Sequence, residues 1–188
     1  MAMLYAGVLL WMATHFMPTL GAGLRQSVID RIGFNGWRGI FSLSILCAMA
    51  LMIFGWRSAQ PATVYLPDPG LRMPAIGLAV IAIVLFGASN RPSRIGRIIR
   101  HPQLTGVLCW SIAHLLANGD NRSLALFGGF AIWSVLEIIL ISRREGAWQK
   151  KEAPGWGVEI IGIVIPLVIA AALIYFHQWF SGMPLLPS

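Results

Sequence analysis

Charge is what this sequence has least of. Only 11% of its 188 residues are Asp, Glu, Lys or Arg, against about 25% in an ordinary soluble domain. With 57% hydrophobic residues and a mean hydropathy of +0.72, the chain cannot coat a water-facing surface. That excludes a soluble domain and leaves an integral membrane protein, with one compact bundle over residues 1–188. Acids are scarcer than bases, seven against fourteen, for a net charge of +7 and a pI of about 10.5. In a soluble protein that excess would suggest nucleic acid. Here the basic residues fall in short loops between apolar runs, no basic face remains, and nucleic acid is excluded as a partner. Cysteine is limited to Cys47 and Cys109, both inside apolar runs and outside any CxxC pattern. They read as small core hydrophobes and fix no redox compartment. There is no Gly-rich phosphate loop, nucleophile elbow or HExxH pattern. The first residues, MAMLYAGVLLWMATHF, lack a positive n-region and a cleavage site, so they read as a retained membrane helix and not a signal peptide.

What the sequence does have is apolar length. A bilayer core of about 30 Å needs about 20 helical residues, and six runs approach that. They span about 3–22, 39–56, 74–89, 102–117, 123–141 and 158–175. The expected fold is therefore all-α, a bundle of about six transmembrane helices. Pro18 is expected to kink the first run. The stretch Gly23 to Arg38 is expected as a loop or a short interfacial helix. The connection Ser58 to Met73 is expected to be extended, because prolines crowd it. Gly128-Gly129 in the fifth run permit close helix approach. The first loop holds three Lys or Arg and the third and fifth four each, whereas the second holds two and the fourth one. That bias sets the odd loops in the cytoplasm and both termini outside. Arg91, Arg94, Arg97 and Arg100 recur at helical i, i+3 spacing and read as a solvated or headgroup-facing stripe. The alternative is a set of cations for the anionic edge of a cofactor, such as a haem propionate.

The chain centres on RHPQLTGVLCWSIAHLLANGD, residues 100–120. It puts His114 deep in an apolar helix, where an ionisable side chain marks a functional-site hypothesis. His15 is the other deep histidine, next to Pro18; His101 sits at the mouth of the fourth run and His177 in a terminal aromatic belt. His101 and His114 lie about 20 Å apart along one helix and roughly 220° around it, so they cannot share one metal. His15–His114 and His15–His101 are both open by depth. The plainest use of such residues is hydrogen bonding between helices. Two deep histidines beside Trp11, Phe16 and Trp110 also suit a haem with two axial ligands and an aromatic wall. Zinc suits them less, for want of further ligands. Ser111 lies three residues before His114, placed to touch a cofactor or to bond its own backbone. Glu137 and Glu159 are expected to pair with loop arginines or to snorkel.

The motifs VLLWMATHFMPTLGAGLR, WRGIFSLSIL and RHPQLTGVLCWSIAHLLANGD resemble the NnrU family of bacterial membrane proteins, over about residues 4–144. The last helix, about 158–175, is less distinctive. That family is linked to nitrite and nitric oxide reduction and is similar to the haem b enzyme zeta-carotene isomerase. The resemblance implies a multi-pass protein of the bacterial inner membrane binding haem b, with His15 and His114 as axial ligands. It aligns His101 with the RHP histidine; Arg97 and Arg100 join His101 at the cytoplasmic rim, and Trp110 and Ser111 flank His114. It further implies electron transfer or assembly in company with nitrite or nitric oxide reductase components. The alternatives are cis–trans isomerisation of a polyene or another hydrophobic substrate, or a haem-free transport or assembly role. Where the isomerase carries a cysteine three residues before its histidine, this chain has Ser111; Cys109 lies about 160° away around the helix. The resemblance therefore supports haem binding better than isomerase activity.

Overall fold

The structure is a computed structural model and describes residues 1–183 and 185. Among them are six α-helices: α1 (Ala2–Leu20), α2 (Ala22–Ser58), α3 (Arg72–Ser89), α4 (Pro102–Ala117), α5 (Asn121–Glu145) and α6 (Trp156–Ser181), with two short 3-10 turns, Pro69–Leu71 and Ile95–Arg97. Five segments are long and apolar enough to cross a bilayer: Ala2–Leu20, Ala22–Ser58, Pro69–Ser89, Asn121–Glu145 and Trp156–Ser181. The sixth helix, α4, has 16 residues and a length of about 24 Å, short of the hydrocarbon core. Leu9, Leu43, Leu46, Phe54, Val168 and many other large apolar side chains point outward. In water such a surface would aggregate; in lipid it is solvated. The chain is a multi-pass membrane protein.

The helices sort into two compact units, each built from separated stretches of chain. The first comprises Met1–Leu66 and Asn118–Gly146, with α1 packed on α2 and α5. Its core is Leu4, Val8, Ala48 and Met52. Small residues set this seam: a Cβ on Gly7 would stand 2.7 Å from the Met52 nitrogen and 2.8 Å from the Ala48 oxygen, and one on Gly55 would collide with the Leu4 backbone. Close backbone approach of this kind is how helices associate where lipid is as apolar as leucine. Gly129 meets Val8 in the same way, as the Gly128-Gly129 pair suggested. The stretch after α1 is helical and not a loop; it is joined to the second span through a kink at Gly33, whose φ of 77° belongs to the left-handed region.

Asn118, Gly119 and Asp120 tie the extended segment after α2 to the start of α5. The Gly119 carbonyl accepts from the amides of Val64 (2.8 Å) and Tyr65 (3.0 Å), and the Tyr65 hydroxyl donates to the Asn118 carbonyl at 2.8 Å. Asp120 caps α5, accepting from the amides of Arg122 (3.0 Å) and Ser123 (3.2 Å) and from the Ser123 hydroxyl (2.6 Å). Burial works against its charge, but the bonds from Ser123 and Arg122 prevail and hold its carboxyl below the usual range.

The second unit comprises Pro67–Ala117 and Ala147–Ser188, with α3 packed on both α4 and α6. A Cβ on Gly106 of α4 would sit 3.0 Å from the Ala82 carbonyl oxygen. Gly87 admits the ring of Pro166 from α6, a proline inside a helix. The arginine stretch after α3 is a turn and not a helix, so the stripe expected from i, i+3 spacing does not form. Arg91 donates to the Val158 carbonyl at 2.9 Å, its guanidinium lying where a Cβ on Gly162 would be. Arg94 stacks 4.0 Å above the Trp156 ring, and its amide donates to Glu159 Oε2 at 3.0 Å. Glu159 thus meets this turn through a backbone amide.

Candidate functional site

In the first unit, α1 presents His15 within an aromatic cage. Its ring centroid is 4.3 Å from Trp11, 4.9 Å from Trp133 of α5 and 5.6 Å from Phe41 of α2. Phe130 closes on Trp11 at 5.3 Å. His15 Nδ1 lies 2.9 Å from the Trp11 carbonyl oxygen. A carbonyl only accepts, so Nδ1 carries the hydrogen and the lone pair is on Nε2. That is the tautomer and orientation a metal-binding histidine needs.

In the second unit, α4 repeats the arrangement. His114 Nδ1 lies 2.9 Å from the Trp110 carbonyl oxygen, and the two rings are 4.9 Å apart. One turn back along the chain, the Ser111 hydroxyl is fully buried and has no hydrogen-bond partner among the described residues. It does not bond its own backbone, the ordinary fate of a serine in a membrane helix.

The remaining candidates gather at the other end of α4. Arg97 is exposed at the end of its 3-10 turn, and Arg100 is half-buried. The His101 carbonyl starts the helix, accepting from the Thr105 amide and hydroxyl, both at 3.0 Å. The helix rise from His101 to His114 is about 20 Å, so these three residues form a group separate from Trp110, Ser111 and His114.

The structure adds to the sequence reading at several residues. Trp133 and Phe41, which complete the His15 cage, carry no local signal, because they come from helices far along the chain. Glu137, one turn beyond Trp133, is 6% exposed; among the described residues its Oε2 has no partner, and the buried Nε1 atoms of Trp11 and Trp133 likewise have no acceptor. It pairs with no loop arginine at that oxygen. Cys47, expected in the core, faces outward. His177 lies in the terminal aromatic belt, its ring 5.1 Å from Phe180, and is half-buried while Tyr175, Phe176, Gln178, Trp179 and Phe180 around it are exposed.

Among the described residues, no three His, Cys, Asp or Glu side chains cluster as a metal cage. The donors present are therefore single imidazoles in aromatic surroundings. That set fits haem iron, whose equatorial positions the porphyrin fills; the buried Ser111 hydroxyl beside His114 and the two buried indole N–H groups beside His15 are polar groups left open within each unit.

Among curated proteins none matches this chain, and no solved structure matches it. The family model for the NnrU protein matches residues 3–185, extending the motif resemblance through the last helix. The chain belongs to the NnrU family.

Proposed function

We propose that this protein binds haem b in the bacterial inner membrane, with His15 and His114 as its axial ligands, and serves nitrite or nitric oxide reduction by electron transfer or by assembly of the reductase. One observation carries the reading. Both histidines donate Nδ1–H to the carbonyl one turn back and lie against tryptophan, so each offers Nε2 as a neutral ligand. Bound haem would supply a one-electron couple. The protein's part is to fix each imidazole in one tautomer and to back it with tryptophan, Trp11 and Trp133 against His15 and Trp110 against His114. Arg97, Arg100 and His101 supply positive charge at the cytoplasmic end of α4. The family's link to nitrogen-oxide reduction supports the electron-transfer role, and a serine at 111 weighs against the cysteine-dependent isomerase alternative.

The experiment is mutagenesis with haem quantification. His114→Ala is expected to lose haem during purification from haem-replete cells; equal haem in His114→Ala and wild type defeats the assignment.

A further inference from the structure

His177 stands apart from its neighbours. The packed stripe of α6 runs through Glu159, Gly162, Pro166 and Ala170. His177 lies seven residues beyond Ala170, two turns on, and so returns to that stripe. The stripe faces α3, since Gly87 of α3 meets Pro166 and the Arg94 amide beyond α3 meets Glu159. These two contacts also fix the direction: moving forward along α3 means moving backward along α6. Eleven residues from Pro166 to His177, about 16 Å of helix, therefore correspond to eleven residues back from Gly87, at Ile76.

The other helix on α3 leads to the same height. Gly106, in the second turn of α4, packs on Ala82, Leu85 and Phe86 in the last turns of α3, and because the two helices pack along their length they run antiparallel. Eight residues from Gly106 to His114, about 12 Å, correspond to eight residues back from that group, at about Pro74 to Leu78. His114 and His177 thus stand level with one another at the first turns of α3. His177 is also near enough to His114 to act on it electrostatically.

Their hydrogen bonding matches as well. His177 Nδ1 lies 2.9 Å from the Met183 carbonyl oxygen, so it carries the hydrogen and Nε2 holds the lone pair. Ser181 buttresses the ring, 2.8 Å from the same nitrogen and donating to the His177 carbonyl at 2.7 Å. Gly182, at φ 74°, turns the chain back to make this possible.

From this juxtaposition we infer that His114 and His177 form a two-imidazole iron site contained within the second unit, with His177 able to hold the position opposite His114 when His15 does not. Two ligands are too few for a zinc site, which takes four, but they complete a haem iron. His15 and His177 both have Nδ1 against a carbonyl oxygen, so either presents Nε2 as the ligand atom. The inference rests on the haem reading above and adds a ligand that the family motifs do not contain.

The test uses the full chain in mild detergent, as wild type, His15→Ala, His177→Ala and the double variant. Each is supplied with haem b and read by absorption and electron paramagnetic resonance. The expected result is a low-spin six-coordinate spectrum in wild type and both single variants, with conversion to high-spin five-coordinate only in the double variant. Added imidazole should restore the low-spin spectrum there, showing that the pocket is still folded. A high-spin spectrum in His177→Ala alone would also support the His114–His177 site and displace His15 as the resident ligand. Identical high-spin spectra for His15→Ala and the double variant would overturn the inference and leave the haem reading intact. Wild type that takes up no haem would overturn both.

Discussion

An imidazole that donates Nδ1–H to a carbonyl has its other nitrogen chosen for it; His15 and His114 donate to the carbonyl one turn back and His177 to that of Met183 ahead of it. Buried serines are less uniform, and the contrast is measurable. The Ser123 hydroxyl donates to Asp120 at 2.6 Å in the α5 cap; the Ser111 hydroxyl has no partner among the described residues. Ser123→Ala should therefore lose about 1 kcal/mol of stability. Ser111→Ala should change the haem-free protein little or stabilise it by up to about 1 kcal/mol, because a buried unsatisfied hydroxyl is itself destabilising. Denaturation in detergent distinguishes the two, and equal losses would show that Ser111 has a partner. The deep histidines were legible in the sequence because apolar surroundings make an ionisable residue conspicuous. The tautomers were not, since they depend on side-chain rotamers set by packing.

At the scale of elements, the seam between α1 and α2 depends on absent side chains. Gly55→Val should destabilise the protein by about 3 kcal/mol, since its Cβ would overlap the Leu4 backbone and neither helix can yield. Gly39→Val, in the same helix with nothing within 4 Å of its Cβ, should be close to neutral. Thermal unfolding of both variants in one detergent checks the pair, and similar midpoints would contradict this packing. The tie between 62–65 and 118–121 should depend on pH. The Asp120 carboxyl lies below its ordinary value when folded, so its contribution is full above the usual carboxylate range near 4. It is lost as pH falls through the lower folded value. Exchange of the Val64 and Asn121 amides should accelerate below about pH 4 relative to amides inside α2; Asp120→Asn should flatten that dependence. Hydropathy made the apolar runs legible, and the Asn-Gly-Asp cluster marked the start of α5. The Arg91–Arg100 spacing misled because i, i+3 repeats imply a stripe only where the backbone is helical. Pro92 and the 3-10 turn Ile95–Arg97 make that segment a turn.

For the whole molecule, the chain's own order does not give its pairing. The first unit joins α1 to α5 across more than a hundred residues, and the second joins α3 to α6. Apolar periodicity marks the side of a helix that avoids water; in lipid every apolar face does so, and the choice of neighbour falls to small residues such as Gly7, Gly55 and Gly87. The basic residues are concentrated in the first, third and fifth connections, so reporter fusions after residues 60 and 183 are expected to read as external and one after residue 146 as cytoplasmic. The reverse pattern would refute that orientation. The central claim is the haem site, and an absorption spectrum of the purified protein, oxidised and then reduced, tests it most directly. The expected result is a sharp Soret band with resolved low-spin α and β bands on reduction. A featureless spectrum after haem supplementation would contradict it and return His15 and His114 to the packing of helices.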